Sequence, residues 1–188
     1  MKMSKSTIVI ALVLHSLSSL SQAGEFCGHE NIRVVTTTPT SDFVINSDGT
    51  VTHTPTGLMW MRCALGQKWN GTTCSGSATT MNWGTALNTA AGINSGTSDA
   101  DGDGATGFAG HTDWRVPNIT ELVSIVERRC YSPSINENLF PATSASAIFW
   151  TSSTIAAYRP GGGWQVNFAD GDTDWNAKTS NASVRLVR

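Results

Sequence analysis

The chain has 188 residues, of which 39% are hydrophobic and 14% charged, and a formal net charge of −2. That length suits one domain with a sizeable core. The slight acidity excludes the extended basic surface that a nucleic acid or a heparin-type polyanion would need.

Residues 1–23 read as a secretory signal peptide. Lys2 and Lys5 precede the apolar run Ile8–Leu20, and Ser21-Gln22-Ala23 is a small-x-small cleavage site. Cleavage there starts the mature chain at Gly24 and leaves ten basic against fourteen acidic residues, a net charge of −4. The run is too short to anchor in a bilayer, and no later segment reaches transmembrane length. An exported protein is expected, periplasmic, cell-surface or secreted, with residues 24–188 as a single domain. Cys27, Cys63, Cys74 and Cys130 remain after cleavage, and an even count outside the cytoplasm reads as two disulfides. Cys63 and Cys74 flank a polar, glycine-bearing loop and pair locally, which leaves Cys27 for Cys130. A zinc site is the rival, but no Cys-x-x-Cys or Cys/His spacing supports it.

The first elements are strands. Asp42–Asn46, the turn Ser47-Asp48-Gly49 and Thr50–His53 predict a hairpin, and Gly57–Arg62 a further short apolar strand. Asn82 caps a helix over Trp83–Ala91 that ends near Gly92. Asn118 caps a second helix, with Glu121 completing a capping box, Leu122, Ile125 and Val126 as its apolar stripe, and Arg128 and Arg129 in its last turn. Strands return at Ile148–Ser152, at Trp164–Ala169, where Trp164, Val166 and Phe168 alternate with polar or small residues, and at Ser183–Arg188. The order is α+β with long irregular connections.

Several of these stretches form an ordered set: Asp48-Gly-Thr-Val, Thr56-Gly-Leu-Met-Trp60, Arg62-Cys-Ala-Leu-Gly-Gln-Lys-Trp69, Phe108–Asn118 (FAGHTDWRVPN), Glu121-Leu122, Phe149–Ser153 (FWTSS) and Val184-Arg-Leu-Val-Arg188. The set resembles the Lcl C-terminal domain family of exported bacterial domains, over roughly Asp48 to Arg188. The resemblance implies a C-type-lectin-like fold with two helices, small antiparallel sheets and neighbouring chain ends. It implies a binding module too, since the namesake is an adhesin for sulfated glycans, and some relatives are diversified near the C-terminus by retroelements. Here the Glu-Pro-Asn, Gln-Pro-Asp and Trp-Asn-Asp triplets of calcium-dependent sugar binding are missing, and Trp175-Asn176-Ala177 ends in alanine.

The family's binding surface is expected near the C-terminal strands. Tyr158, Arg159, Trp164, Asn167, Asp172, Asp174, Trp175 and Asn176 are the aromatic and polar residues to display there, a combination that suits sugars and protein surfaces alike. Trp164 also reads as a core residue, and Trp60, Trp83, Trp114 and Trp150 as structural. A second candidate is Asp99, Asp101 and Asp103 before Gly104, with Asp113 able to add an oxygen. An EF-hand is excluded because its twelfth position falls on Gly110. A looser, structural calcium loop and a plain solvated turn both remain. No cofactor is required. His29, His53 and His111 are scattered, and no nucleophile elbow or phosphate-binding loop is present, so an enzyme is not expected. The reading is an exported binding domain for a surface glycan or protein, with no nucleic-acid partner. Its alternatives are a subunit of an envelope assembly and, further off, a metal-dependent hydrolase using His111.

Overall fold

The computed structural model describes residues 27–155 and 160–188. The expected signal peptide, Tyr158 and Arg159 lie outside the described residues. Among the described residues, two α-helices, three small antiparallel sheets and two disulfides make an α+β fold. Among the described residues no helix is long and apolar enough to cross a membrane.

Strand β1 (Phe43–Ile45) and strand β2 (Thr50–His53) form the expected hairpin. Asp48 sets the turn by accepting from the Thr50 N–H at 3.0 Å and the Thr50 hydroxyl at 2.6 Å. β2 also pairs with β3 (Met59–Met61). Inside the cysteine loop, β4 (Lys68–Trp69) and β5 (Cys74–Ser75) make a short hairpin that the Cys63–Cys74 disulfide closes. Strands of two residues leave no period to read, so this hairpin has no sequence signature.

Helix α1 runs Trp83–Ser95, four residues beyond the expected end, with Asn82 accepting from the Thr85 N–H as its cap. Gly92 is buried inside the helix, and Gly96, at φ 75°, takes the left-handed capping position instead. Helix α2 is shorter than expected, Ile119–Val123, with the capping box in place. Arg128 and Arg129 therefore do not occupy its last turn. The Ser124 hydroxyl donates to the Glu121 carbonyl, and the Ile125 and Val126 N–H groups reach back only three residues, so the chain tightens and leaves the helix. Glu127, which follows, is fully buried. Its carboxylate accepts from the N–H groups of Thr37, Thr38 and Arg129 and from the Thr38 hydroxyl, which draws the N-terminal arm onto this segment. The Cys27–Cys130 disulfide and a 2.9 Å Glu30–Arg129 ion pair hold the same arm.

The third sheet is β6 (Ile148–Thr154), β7 (Gly162–Asn167) and β8 (Asp172–Ala177), in that spatial order. The core lies on both sides of β6. Phe149 joins Trp60, Leu122, Ile125, Phe140, Val166, Phe168 and Val187, whereas Trp150 joins Met61, Ala86, Ile93, Trp114, Val184 and Leu186. Neighbouring residues of β3, of β6 and of the C-terminal segment thus enter opposite clusters, as the two-residue period of an extended chain requires. The final segment was expected to be a strand with alternating side chains. Instead residues 182–187 are buried throughout and run as bridges beside β3 and β6. Arg185 is therefore buried despite its charge. It donates to the carbonyls of Met61 and Arg62 and to the Thr143 hydroxyl, beneath the rings of Phe140 and Phe149. Burial, with Arg62 nearby, lowers its pKa to about 9.

Candidate functional site

The β7–β8 hairpin turns at Asp170-Gly171, where Asp170 accepts from the Asp172 N–H at 3.0 Å. β8 was not anticipated as a strand, because its sequence Asp-Thr-Asp-Trp-Asn-Ala lacks any apolar alternation. It is an edge strand that covers no core, so nothing selects apolar residues on either face. Two of its N–H groups are taken by preceding side chains, Trp175 by Asp174 at 2.7 Å and Ala177 by Asn176 at 2.8 Å.

Register divides the predicted binding residues between two faces. Trp164 lies opposite Trp175, next to the pair Val166–Thr173 on the same face. Asp174 opposes Gln165, Asn176 opposes Gly163, and Asp172 opposes Asn167, so these polar residues take the other face. The set is thus an aromatic face and an amide–carboxylate face of one ribbon. Directly opposed residues of an antiparallel pair have Cβ atoms about 4.5–5.5 Å apart, so the two tryptophan side chains start from adjacent positions on one face. Trp164 is half-buried and Trp175 is 37% exposed. The polar face contains a further aromatic, Trp83 at the start of α1. Its indole N–H donates to the Thr151 carbonyl at 2.8 Å, and the Lys178 ammonium sits 4.1 Å from its ring centroid. Trp60, Trp114 and Trp150 are fully buried, as expected of structural tryptophans, while Trp83 is only half-buried.

Asp99, Asp101 and Asp103 do come together, with one carboxylate oxygen of each within 4.8 Å of the others. The loop is built on Asp99, which accepts from the N–H groups of Asp101, Gly102 and Gly104. Those backbone bonds, Gly102 and Gly104 foremost, hold its carboxyl below the ordinary value. Asp101 is raised instead, by burial first and then by the charges of Asp103 and Asp99. Lys68, in β4, lies against Gly102, so a cation does reach the loop across the chain. Asp113 stands apart from the trio. It is bonded to Arg188 at 2.6 Å, which lowers its carboxyl. The carboxylates that the fold groups within metal-binding reach of one another are those of Asp99, Asp101 and Asp103. The trio offers three hard oxygens on a glycine-bearing loop, a donor set suited to calcium if carbonyls or water complete the shell. His111 lies edge-on to Trp114 with centroids 6.5 Å apart.

Two clefts flank the first cysteine loop and share Gln67. One, of about 290 Å³, lies between β4, Thr89 of α1 and Asp99–Gly102. The other, of about 390 Å³, lies between residues 76–80 and 142–149. Neither had a sequence signal, because their walls meet only in the folded chain.

The family model of the Lcl C-terminal domain matches residues 49–188. No curated protein matches the chain.

Proposed function

The chain belongs to the Lcl C-terminal domain family, and from that premise we propose that it is an exported recognition domain of C-type-lectin-like fold. Two disulfides are consistent with folding outside the reducing cytoplasm. The ligand is a glycan or protein displayed on a surface, and recognition proceeds by complementarity without a bond being made or broken. The observation that carries this reading is the pairing of Trp164 with Trp175 on an edge ribbon whose outer strand is exposed along most of its length. Aromatic planes flanked by hydrogen-bonding groups suit a sugar face or an apolar protein patch, and they give up little conformational entropy on contact. The Asp99–Asp103 loop takes calcium in a structural role, which leaves the ribbon as the contact surface.

Glycan-array and surface-resonance binding of the disulfide-bonded protein test the proposal. Trp175→Ala is expected to lower affinity at least about tenfold, the loss of one central aromatic anchor. Saturable binding that survives both Trp175→Ala and Asp174→Ala would remove the ribbon as the contact surface.

A further inference from the structure

The larger cleft has an unusual electrostatic setting. Its lining mixes alanines and Phe149 with small polar residues, among them Ser77, Thr80, Thr143 and Ser144, and contains no charged residue. Behind that wall lies the buried guanidinium of Arg185, and the buried Arg62 is close enough to act on its charge. Arg185 donates to the Thr143 hydroxyl at 3.0 Å and sits 5.4 Å from the centroid of Phe149, and both of those residues line the cleft. Arg62 bonds the carbonyls of Leu139 and Asn138. Among the described residues neither guanidinium makes an ion pair. Carbonyl dipoles solvate them without cancelling their charge, and a charge in a low-dielectric interior acts further than one in water.

Backbone donors without a protein acceptor belong to the same lining. Among the described residues the N–H groups of Ala78 and Thr80, both lining the cleft, donate to no protein acceptor, whereas those of Thr79 and Met81 bond Leu65 and Ala182. A positive field, N–H and hydroxyl donors and the absence of any carboxylate together select an acceptor-rich anion. The volume of about 390 Å³ accommodates a molecule of monosaccharide size.

We propose that this cleft is a binding site for the oxyanion of a small ligand, a carboxylate or a phosphate, held by the donors of residues 77–80 and Ser144 in the field of Arg185, since the Thr143 hydroxyl already donates to the Phe140 carbonyl. No residue of the tryptophan ribbon lines it, so either site can fail without the other.

The test is a magnetic-resonance titration of the disulfide-bonded protein with glucuronate, inorganic phosphate and, as the neutral control, glucose. Saturable shifts centred on Ala78, Thr80 and Ser144 are expected with at least one anion and none with glucose. Saturation by glucuronate assigns a carboxylate ligand, and saturation by phosphate alone a phosphate. Ser144 is exposed, so its replacement leaves the fold intact. Ser144→Asp should weaken the anion about tenfold or more, and the equal-sized Ser144→Asn less than about twofold, because only the first adds a like charge. The proposal is overturned if neither anion saturates by about 20 mM, far above an ordinary millimolar site. It is overturned equally if glucose shifts the same residues, or if Ser144→Asp binds as the parent does.

Discussion

Replacing Cys27 and Cys130 together by alanine opens a covalent loop that spans 103 residues, whereas replacing Cys63 and Cys74 opens one of 11. Cross-linking lowers the entropy of the unfolded chain by an amount that grows with the logarithm of loop length, which gives about 4.7 kcal/mol for the long loop and about 2.8 kcal/mol for the short one. The long loop ties the N-terminal arm to the segment after α2. The Glu30–Arg129 ion pair and the Glu127 hydrogen bonds hold that arm in the folded state too, so the native geometry survives loss of the bond. Urea unfolding followed by tryptophan fluorescence should therefore place the Cys27/Cys130 variant about 2 kcal/mol below the Cys63/Cys74 variant, with similar m-values. Ligand effects should run the other way. Gln67 and Lys68, which line the two clefts, lie inside the Cys63–Cys74 loop, so its opening loosens the clefts while the long-range variant keeps them. A Cys63/Cys74 variant that is the less stable of the two would refute the entropic argument and show that the short loop holds the native packing itself.

Glu121 should titrate into stability. Arg115, at 2.7 Å, holds its carboxyl below the ordinary value, with the Asn118 N–H helping against partial burial. A depressed acid stabilises the fold above its unfolded value of 4.5, and that contribution is lost as pH falls through the lower folded value. Arg115 is 47% exposed, so solvent screens the pair. Glu121→Gln keeps an acceptor for the Asn118 N–H, so it should lose only the ion pair, about 0.5–1 kcal/mol at neutral pH, and should flatten the acid limb of the melting curve. Gly163→Ala sets a Cβ 2.9 Å from Trp83 and 3.3 Å from Trp150, and the resulting overpacking should cost about 1–3 kcal/mol and change the near-ultraviolet dichroism. Calcium should raise the melting temperature of the parent but not of Asp101→Asn. The gain should shrink at low pH, where protons compete for the raised Asp101 carboxyl. A parent melting curve that calcium leaves unmoved would make the loop a plain turn.

Much of the fold is local and was legible in the residues. The Asp48-Gly49 turn, the Asn82 and Asn118 caps, strands β1 to β3 and β6, and both disulfide pairings follow from side chains acting on backbone a few positions away, or from counting cysteines. Helix ends were less legible. Gly92 looked like a stop yet sits in mid-helix, and α2 ends early because Glu127 is drawn under the N-terminal arm from ninety residues away. At the candidate site, the family resemblance pointed to Trp164 and Trp175 and the alternating carboxylates to the three loop aspartates. Pairing register decided which of the ribbon residues share a face.

By itself the sequence determined the turns, caps, cross-links and family, since each depends on interactions of short range or on residue identity alone. Only the tertiary structure decided the two clefts, the burial of Arg185 and the division of the ribbon into two faces. Those features arise where segments far apart in the chain meet, and no period or spacing in a linear sequence encodes what will lie opposite.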